Sequence, residues 1–564
     1  MSMAVANPHL KWHEEICSHS LRQSQKRRRT RVGLIDDMQF SEMTLPKGPS
    51  TKGDLFQWPK ASLQKICDDE RREVRLRGLM QIGFDMDSDY SGWSSEREIC
   101  HQLQFALEAH GMRWAAKAKV PRFFFHRTCD SDADAQAFLL YLAKNVDDSN
   151  SHVMDDINNK ISRAALAVLD NMEPAEDATL VQRAECYVKM AEYVDGNRRE
   201  LFKSDSTAPC LVHKTSCRLL CPEAVPDDDS DDDDHKTGQR MRINFAGNTC
   251  KGWSTIGGQL RFADPSEREH CLWLGERKVR AENKEESMFF EECTLKYPRR
   301  EKLVIPLAST HKVVSVQANS NAQGFPGSRP RSLSAGLAHW DTLWAGPSSD
   351  DAIQEDFDSI FSTTMELDGD IFFFIDAAER EVELSENLRK RCHGQCLPKG
   401  FDNQIDKVML SLGPAARLRY EAYTELRPRH QSLSGAFIAD LDQWPSIRRI
   451  CGPLFPCQLT HGTVFSWSKQ SIAHGMEHAN AQGWNVAQDG YHAPLILPLM
   501  RQTSSNKLKK LSGNGWCLPV VAAWMLYVWS NTIRRPVNKI AKELQVVEPD
   551  EDVDYQNDAQ GRTS

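Results

Sequence analysis

A cysteine stands in the run 242-RINFAGNTCKGWSTIGG-258, where a short apolar segment gives way to small residues and glycines. Structural cysteines usually sit inside an apolar repeat. Cys250 sits at the exit of one, where a thiol can meet a ligand and act as a nucleophile. Three further groups could serve it. Glu291, in 289-FFEECT-294, offers a carboxyl that a sheltered cleft can keep protonated. Arg329 and Arg331 stand two apart in 324-GFPGSRPRSL-333, and paired guanidinium N–H groups hold planar polar ligands. Asn514 lies between glycines in 511-LSGNGWCLP-519. Each alone has a plainer reading: a small buried thiol, a strand-end charge, a solvated basic loop, a helix cap.

The elements that must position these groups alternate in type. The run 79-LMQIGFDMDSDYSG-92 reads as a strand entering a glycine-containing loop. Ile99, Leu103, Ala106 and Leu107 follow at helical spacing. Then come the strand 122-RFFFHRTCD-130, the helix 133-ADAQAFLLYLA-143, the strand 242-RINFAG-247, a polar helix near 265–282, and the strands 287-SMFFEECT-294 and 311-HKVVSVQA-318. This order predicts an α/β fold with a doubly wound, mostly parallel sheet, whose ligands sit at the C-terminal strand ends. Asp89, Asp130, Cys250 and Glu291 all fall at or near such ends. Between 366 and 500 loops, prolines and paired basic residues multiply, which predicts a second, irregular domain.

In this order the segments resemble the cytosine-C5 methyltransferase family. The resemblance rests on 249-TC-250 for its Pro-Cys motif, 291-EEC-293 for Glu-Asn-Val, 327-GSRPR-331 for Gln-x-Arg-x-Arg and 513-GNG-515 for Gly-Asn-Ser/Gly. Earlier, 89-DYSGWSS-95 is similar to the family's Asp-x-Phe-x-Gly-x-Gly cofactor loop, 130-DSDADA-135 to its acidic second motif, and Asp156 to its third. It runs from about 85 to 530. It implies a Rossmann-like domain that binds S-adenosylmethionine through Asp89, Tyr90, Ser91, Gly92, Asp130, Asp156 and Asn514. It further implies that Cys250 adds to C6 of a cytosine flipped out of DNA, with RNA as the alternative substrate. Glu291 would protonate the ring near N3, and Arg329 and Arg331 would hold the base edge and the catalytic loop. The segment 366–500 would be the target-recognition domain. Departures are visible. Trp93, Ser94 and Ser95 replace the last glycines of the cofactor loop, Thr249 replaces proline, and Gly327 replaces glutamine. Glu292 replaces asparagine, so either glutamate could be the acid. The competing reading is a non-catalytic nucleic-acid-binding or chromatin-associated protein on the same fold.

The remaining expectations concern charge and organisation. The run 210-CLVHKTSCRLLC-221 gathers Cys210, His213, Cys217 and Cys221 at a spacing near that of a structural zinc site. It lacks a Cys-x-x-Cys pair, so no metal is assigned and separate reduced side chains are the plainer reading. The net charge of −9 argues against a general nucleic-acid binder, but 227-DDDSDDDD-234 and the acidic tail account for it. The basic cluster 26-KRRRTR-31 points to the nucleus, with the cytoplasm otherwise. The apolar run 516-WCLPVVAAWMLYVW-529 is too short for a bilayer and predicts a buried helix, with no membrane partner. Expected boundaries are an irregular, disordered arm over 1–75 and a catalytic domain over 76–365 with an acidic insertion at 222–238. The recognition domain follows over 366–500, then a returning helix over 501–535 and a tail over 536–564.

Overall fold

The computed structural model describes residues 45–113, 121–146, 151–220, 240–248, 251–254, 258–391, 404–429, 435–446 and 451–535. The basic cluster 26–31, Cys221, the acidic run 227–234, Cys250 and the tail 536–564 lie outside the described residues.

In chain order the first nine strands are β1 (Phe84–Asp89), β2 (Phe123–Cys129), β3 (His152–Met154), β4 (Thr207–Pro209), β5 (Ser216–Arg218), β6 (Met241–Ala246), β7 (Met288–Thr294), β8 (His311–Ala318) and β9 (Arg331–Ala338). Seven of them make one sheet in the order β3-β2-β1-β6-β7-β9-β8. β9 alone runs against its neighbours. The sheet is thus doubly wound and mostly parallel, as expected, and its order reverses between β1 and β6. Register aligns the strand ends there. Asp89 lies opposite both Cys129 and Ala246, and Ala246 lies opposite Glu291. β9 is passed over by the sequence reading of Arg329 and Arg331 as a basic loop, although its Leu333, Ala335 and Leu337 alternate with Ser332, Ser334 and Gly336 and enter the main core. Its Gly336 lies opposite Phe289, where any Cβ would collide with that ring.

β1 explains the two faces. Its pleat sends Phe84 and Met86 to the main core. Asp85, Asp87 and Asp89 go to the other face, where they meet Arg240 at 2.6 Å, Arg127 at 3.7 Å and Lys160 at 2.5 Å. The apolar face is covered by the helix Leu518–Ser530, every residue of which is buried. A helix apolar all round belongs inside a protein. Trp529 stacks on Phe84 with ring centroids 5.2 Å apart.

The expectation of an irregular arm over 1–75 is corrected for its later part. Helices Trp58–Cys67 and Glu70–Ile82 pack Trp58, Leu63, Ile66, Leu76, Leu79 and Met80 into the main core. Asp69 caps the second by accepting from the N–H groups of Arg71 and Arg72. Charged residues dilute the apolar spacing here, so the helices depend on tertiary burial rather than on a strong sequence pattern.

A smaller sheet, order β12-β11-β13-β14, lies within the segment expected to be irregular. Its strands are Ile438–Asp440 (β11), Cys451–Gly452 (β12), Val464–Ser466 (β13) and Ser471–Ile472 (β14), and β10 is Thr342–Trp344. Helices Ala377–Arg391, Gln404–Ser411 and Pro414–Leu426 join it around Trp467, which stacks on Tyr420 at 5.4 Å. After it the chain returns to the main core through Met476, Trp484, Leu497 and Met500.

That return meets a buried acid. Glu98, on the helix Ser95–Ala109, accepts from the Leu495 N–H at 3.0 Å and from Gln102. Burial raises its pKa to about 7. A carboxyl raised above its unfolded value binds more protons in the native state, so its share of stability is lost as pH rises from about 4.5 through 7. Glu98→Gln is expected to gain on the order of 1–3 kcal/mol relative to wild type between pH 5 and pH 8. Urea unfolding at both pH values measures this, and a difference independent of pH would refute it.

Candidate functional site

The cleft expected from the strand order lies where β1 and β6 part. The chain leaves β1 through a tight turn with left-handed backbone at Tyr90 (φ 55°), Gly92 (φ 53°) and Ser94 (φ 66°). Two of these carry side chains, a conformation that persists only where surroundings enforce it. Here they do. The Ser91 hydroxyl donates to the Ser88 carbonyl and accepts from the Cys129 N–H, both at 3.1 Å. The Gly92 N–H donates to Asp130 Oδ2 at 2.8 Å, and the Asp132 N–H to Asp130 Oδ1 at 2.8 Å. Trp93, fully buried, packs on Trp484 at 4.9 Å and on Phe138 at 6.2 Å. A Cβ at Gly515 would fall 2.6 Å from Trp93 Nε1, so glycine is required where this loop meets the 513–515 turn.

The residues expected to hold the cofactor are therefore not equivalent. Asp130 stands at the end of β2, half-buried, and burial raises its pKa. Each of its oxygens accepts one backbone N–H and keeps a second lone pair for a ligand hydroxyl. Tyr90, Ser91 and Gly92 present backbone at the same place. The Asp89 carboxylate does not face that opening. It is wholly buried on the ionic face, within reach of Lys160, Arg127 and Arg277, and accepts from Asn244 at 3.1 Å. Burial pushes its pKa up, but these cations outweigh that and hold it below the usual carboxylate range. Asp156 caps the turn Ile157–Lys160 that delivers Lys160 to this cluster, accepting from the Asn158 N–H at 2.8 Å. Asn514 is exposed at the end of the helix Ser505–Asn514.

The two glutamates on β7 point to opposite faces because the pleat alternates. Glu291 faces the helix Ser266–Glu282 side. It accepts from the Asn248 amide, two residues before Cys250, and from Tyr297. Burial raises its pKa to about 7 against these hydrogen bonds. A small cavity beside it is lined by Tyr90, Asn248, Trp253, His270, Tyr297 and Lys302. Burial holds the His270 ring neutral. Glu292 faces the other way and pairs with Arg331 Nε at 2.5 Å.

Arg329 reaches neither carboxyl as a hydrogen-bond partner. Its guanidinium is buried and donates to the carbonyls of Gln458 and Gly513, both at 3.1 Å, and of Gly515. Burial without a paired carboxylate lowers its pKa. It ties the second-sheet segment to the 513–515 turn. These hydrogen bonds go to protein carbonyls rather than toward a base edge. Lys160, Arg127, Glu276, Asn248, Tyr297 and His270 were not singled out from sequence. Only Asn248 had a signal, its place two residues before Cys250.

Cys210, His213 and Cys217 do come together, and His152 joins them from β3. Cys221 lies outside the described residues.

No family model matches the sequence, and no curated protein matches it. Among solved structures, the chain is similar to the Dnmt2 methyltransferase of S. pombe at 11% identity, covering 79% of this chain and 98% of that one, with a TM-score of 0.35. It is also similar to the Entamoeba histolytica methyltransferase EhMeth at 8% identity, with 79% and 98% covered and a TM-score of 0.36. The strand order, not this likeness, carries the description of the fold.

Proposed function

We propose that the chain is a divergent cytosine-C5 methyltransferase acting on DNA. One observation carries this reading. The loop after β1 and the loop after β6 leave adjacent strands at one level, and Glu291, on the next strand at that level, holds Asn248 in the loop that leads to Cys250. Glu291 is protonated below about pH 7, as an acid serving the ring must be. Cys250 supplies the thiolate that adds to C6, and S-adenosylmethionine, when bound, supplies the methyl group. Asp130 would accept its ribose hydroxyls, and the backbone of Tyr90–Gly92 would border it. Arg331, paired with Glu292, bounds the other side of β7. A cleft lined by His461, Lys507, Lys509 and Lys510 favours a polyanion as partner, although Lys507 and Lys510 also bind Asp134 and Asp132.

A second reading is favoured by the cofactor loop. Trp93 fills the space beside Gly515, and each Asp130 oxygen already accepts one backbone N–H, leaving it a single lone pair for a ligand. On that reading the chain keeps the fold and binds nucleic acid without turnover.

Labelled-methyl transfer from S-adenosylmethionine to genomic DNA and, separately, to total RNA tests both. The proposed reading expects label at cytosine C5 of DNA, abolished by Cys250→Ala. Label in RNA alone moves the substrate assignment. No transfer from folded protein, together with no S-adenosylmethionine retained in equilibrium dialysis, leaves the non-catalytic reading standing.

A further inference from the structure

We propose that His152, Cys210, His213 and Cys217 form a structural zinc site that clamps the β4–β5 hairpin to the edge of the main sheet. The inference does not rest on the proposed reaction. The four side chains lie on β3 and the β4–β5 hairpin, and none of them is used by the cleft at the β1–β6 switch.

The donor atoms converge. All four lie within 4.8 Å of one another. Cys210 Sγ is 3.5 Å from His213 Nδ1 and 3.8 Å from His152 Nδ1, and Cys217 Sγ is 3.4 Å from His213 Nδ1. Around a tetrahedral zinc, with bonds of roughly 2.3 Å to sulfur and 2.0–2.1 Å to nitrogen, sulfur and nitrogen ligands stand about 3.6 Å apart. Thiol–imidazole hydrogen bonds would satisfy these groups in pairs, but they do not require four donors to face one point. Two sulfurs and two imidazoles in a compact set, with no carboxylate among them, select zinc over the harder divalent cations.

Local backbone brings the ligands to that point. Cys210 and His213 flank a tight turn, the Cys-x-x-His spacing placing both side chains on its inner side. The turn is closed by the Lys214 N–H on the Cys210 carbonyl and by the Cys210 N–H on the Thr215 carbonyl, each at 2.9 Å, with Lys214 left-handed at φ 57°. Cys217 stands on β5 opposite Ala208 of β4. His152 comes from β3, to which the hairpin is joined by the Met154–Cys210 bridge and by the Leu211 N–H on the Val153 carbonyl at 2.8 Å. β3, β4 and β5 are three residues each. Strands so short have little stability of their own, so a metal that joins them would hold the sheet edge. The same edge leads directly into the Asp156-capped turn that carries Lys160.

The test uses the full chain, purified under reductant without chelator. Elemental analysis is expected to find one zinc per chain. Cobalt(II) added to the metal-free protein should give a thiolate-to-metal charge-transfer band and the intense visible bands of a tetrahedral ion. Cys217→Ser and His152→Ala should weaken cobalt binding roughly tenfold or more. Cys186→Ser, a thiol on the separate helix Leu180–Leu201, should leave it unchanged. Zinc well below stoichiometry with no charge-transfer band in the wild type would overturn the site, as would full cobalt affinity in both ligand variants. Should a variant fail to fold, the wild-type cobalt spectrum still decides, because a site without thiolates lacks the charge-transfer band.

Discussion

Lys160→Met is expected to lower the free energy of unfolding by about 3–5 kcal/mol, because it strips a buried carboxylate of its nearest cation while leaving the packing volume almost unchanged. Lys160 and Asp89 are both fully buried, 2.5 Å apart, and Lys160 also meets Glu276 at 2.9 Å. Glu276 in turn holds Arg127 at 3.2 Å and Arg277 at 3.0 Å. Removing Lys160 leaves Asp89 with Asn244 at 3.1 Å and with Arg127 and Arg277 at 3.9 and 4.0 Å. Those longer contacts set the lower end of the range. The Asp89→Asn change in the same background should recover part of the loss, since the charge left unpaired is then gone. Denaturant unfolding of the wild type, the single variant and the double variant measures it. A loss below about 1 kcal/mol would mean that water reaches Asp89 and that the cluster behaves as a surface one.

Under the proposed function, Glu291→Gln is expected to reduce methyl transfer by about 10²- to 10⁴-fold, the range for losing a positioned proton donor. The amide keeps the Asn248 contact and the packing, so folding should be preserved while the proton is lost. The wild-type rate should fall as pH rises through about 7, because the acid must be protonated to act and burial raises its pKa to that value. In Glu291→Gln that limb should vanish. Glu292→Gln is the informative comparison, since Glu292 faces Arg331 on the opposite side of β7. Near-complete loss in Glu292→Gln, with Glu291→Gln within about threefold of wild type, would move the acid to the arginine side.

Much of the scaffold was legible in the amino-acid order. Short apolar runs located β1, β2, β6, β7 and β8, with glycines at the exits of β1 and β6, and β8 was read over the same residues that form it. The uniformly apolar stretch before residue 530 read as an interior helix, and every residue of Leu518–Ser530 is buried. These are local properties, because burial pattern and turn chemistry are written in consecutive residues. What only the tertiary structure decided is which distant groups meet. Asp89 and Lys160 are 71 residues apart, Lys160 and Glu276 are 116 apart, and Cys210 and His152 are 58 apart. Their pairing depends on strand order and register. So does the division of Glu291 from Glu292, adjacent in the chain and placed by the pleat on opposite faces of the sheet. The types of residue at the strand ends came from sequence. Whether each faces a cleft, an ion cluster or a neighbouring backbone came from the fold, because one residue of register turns every side chain over.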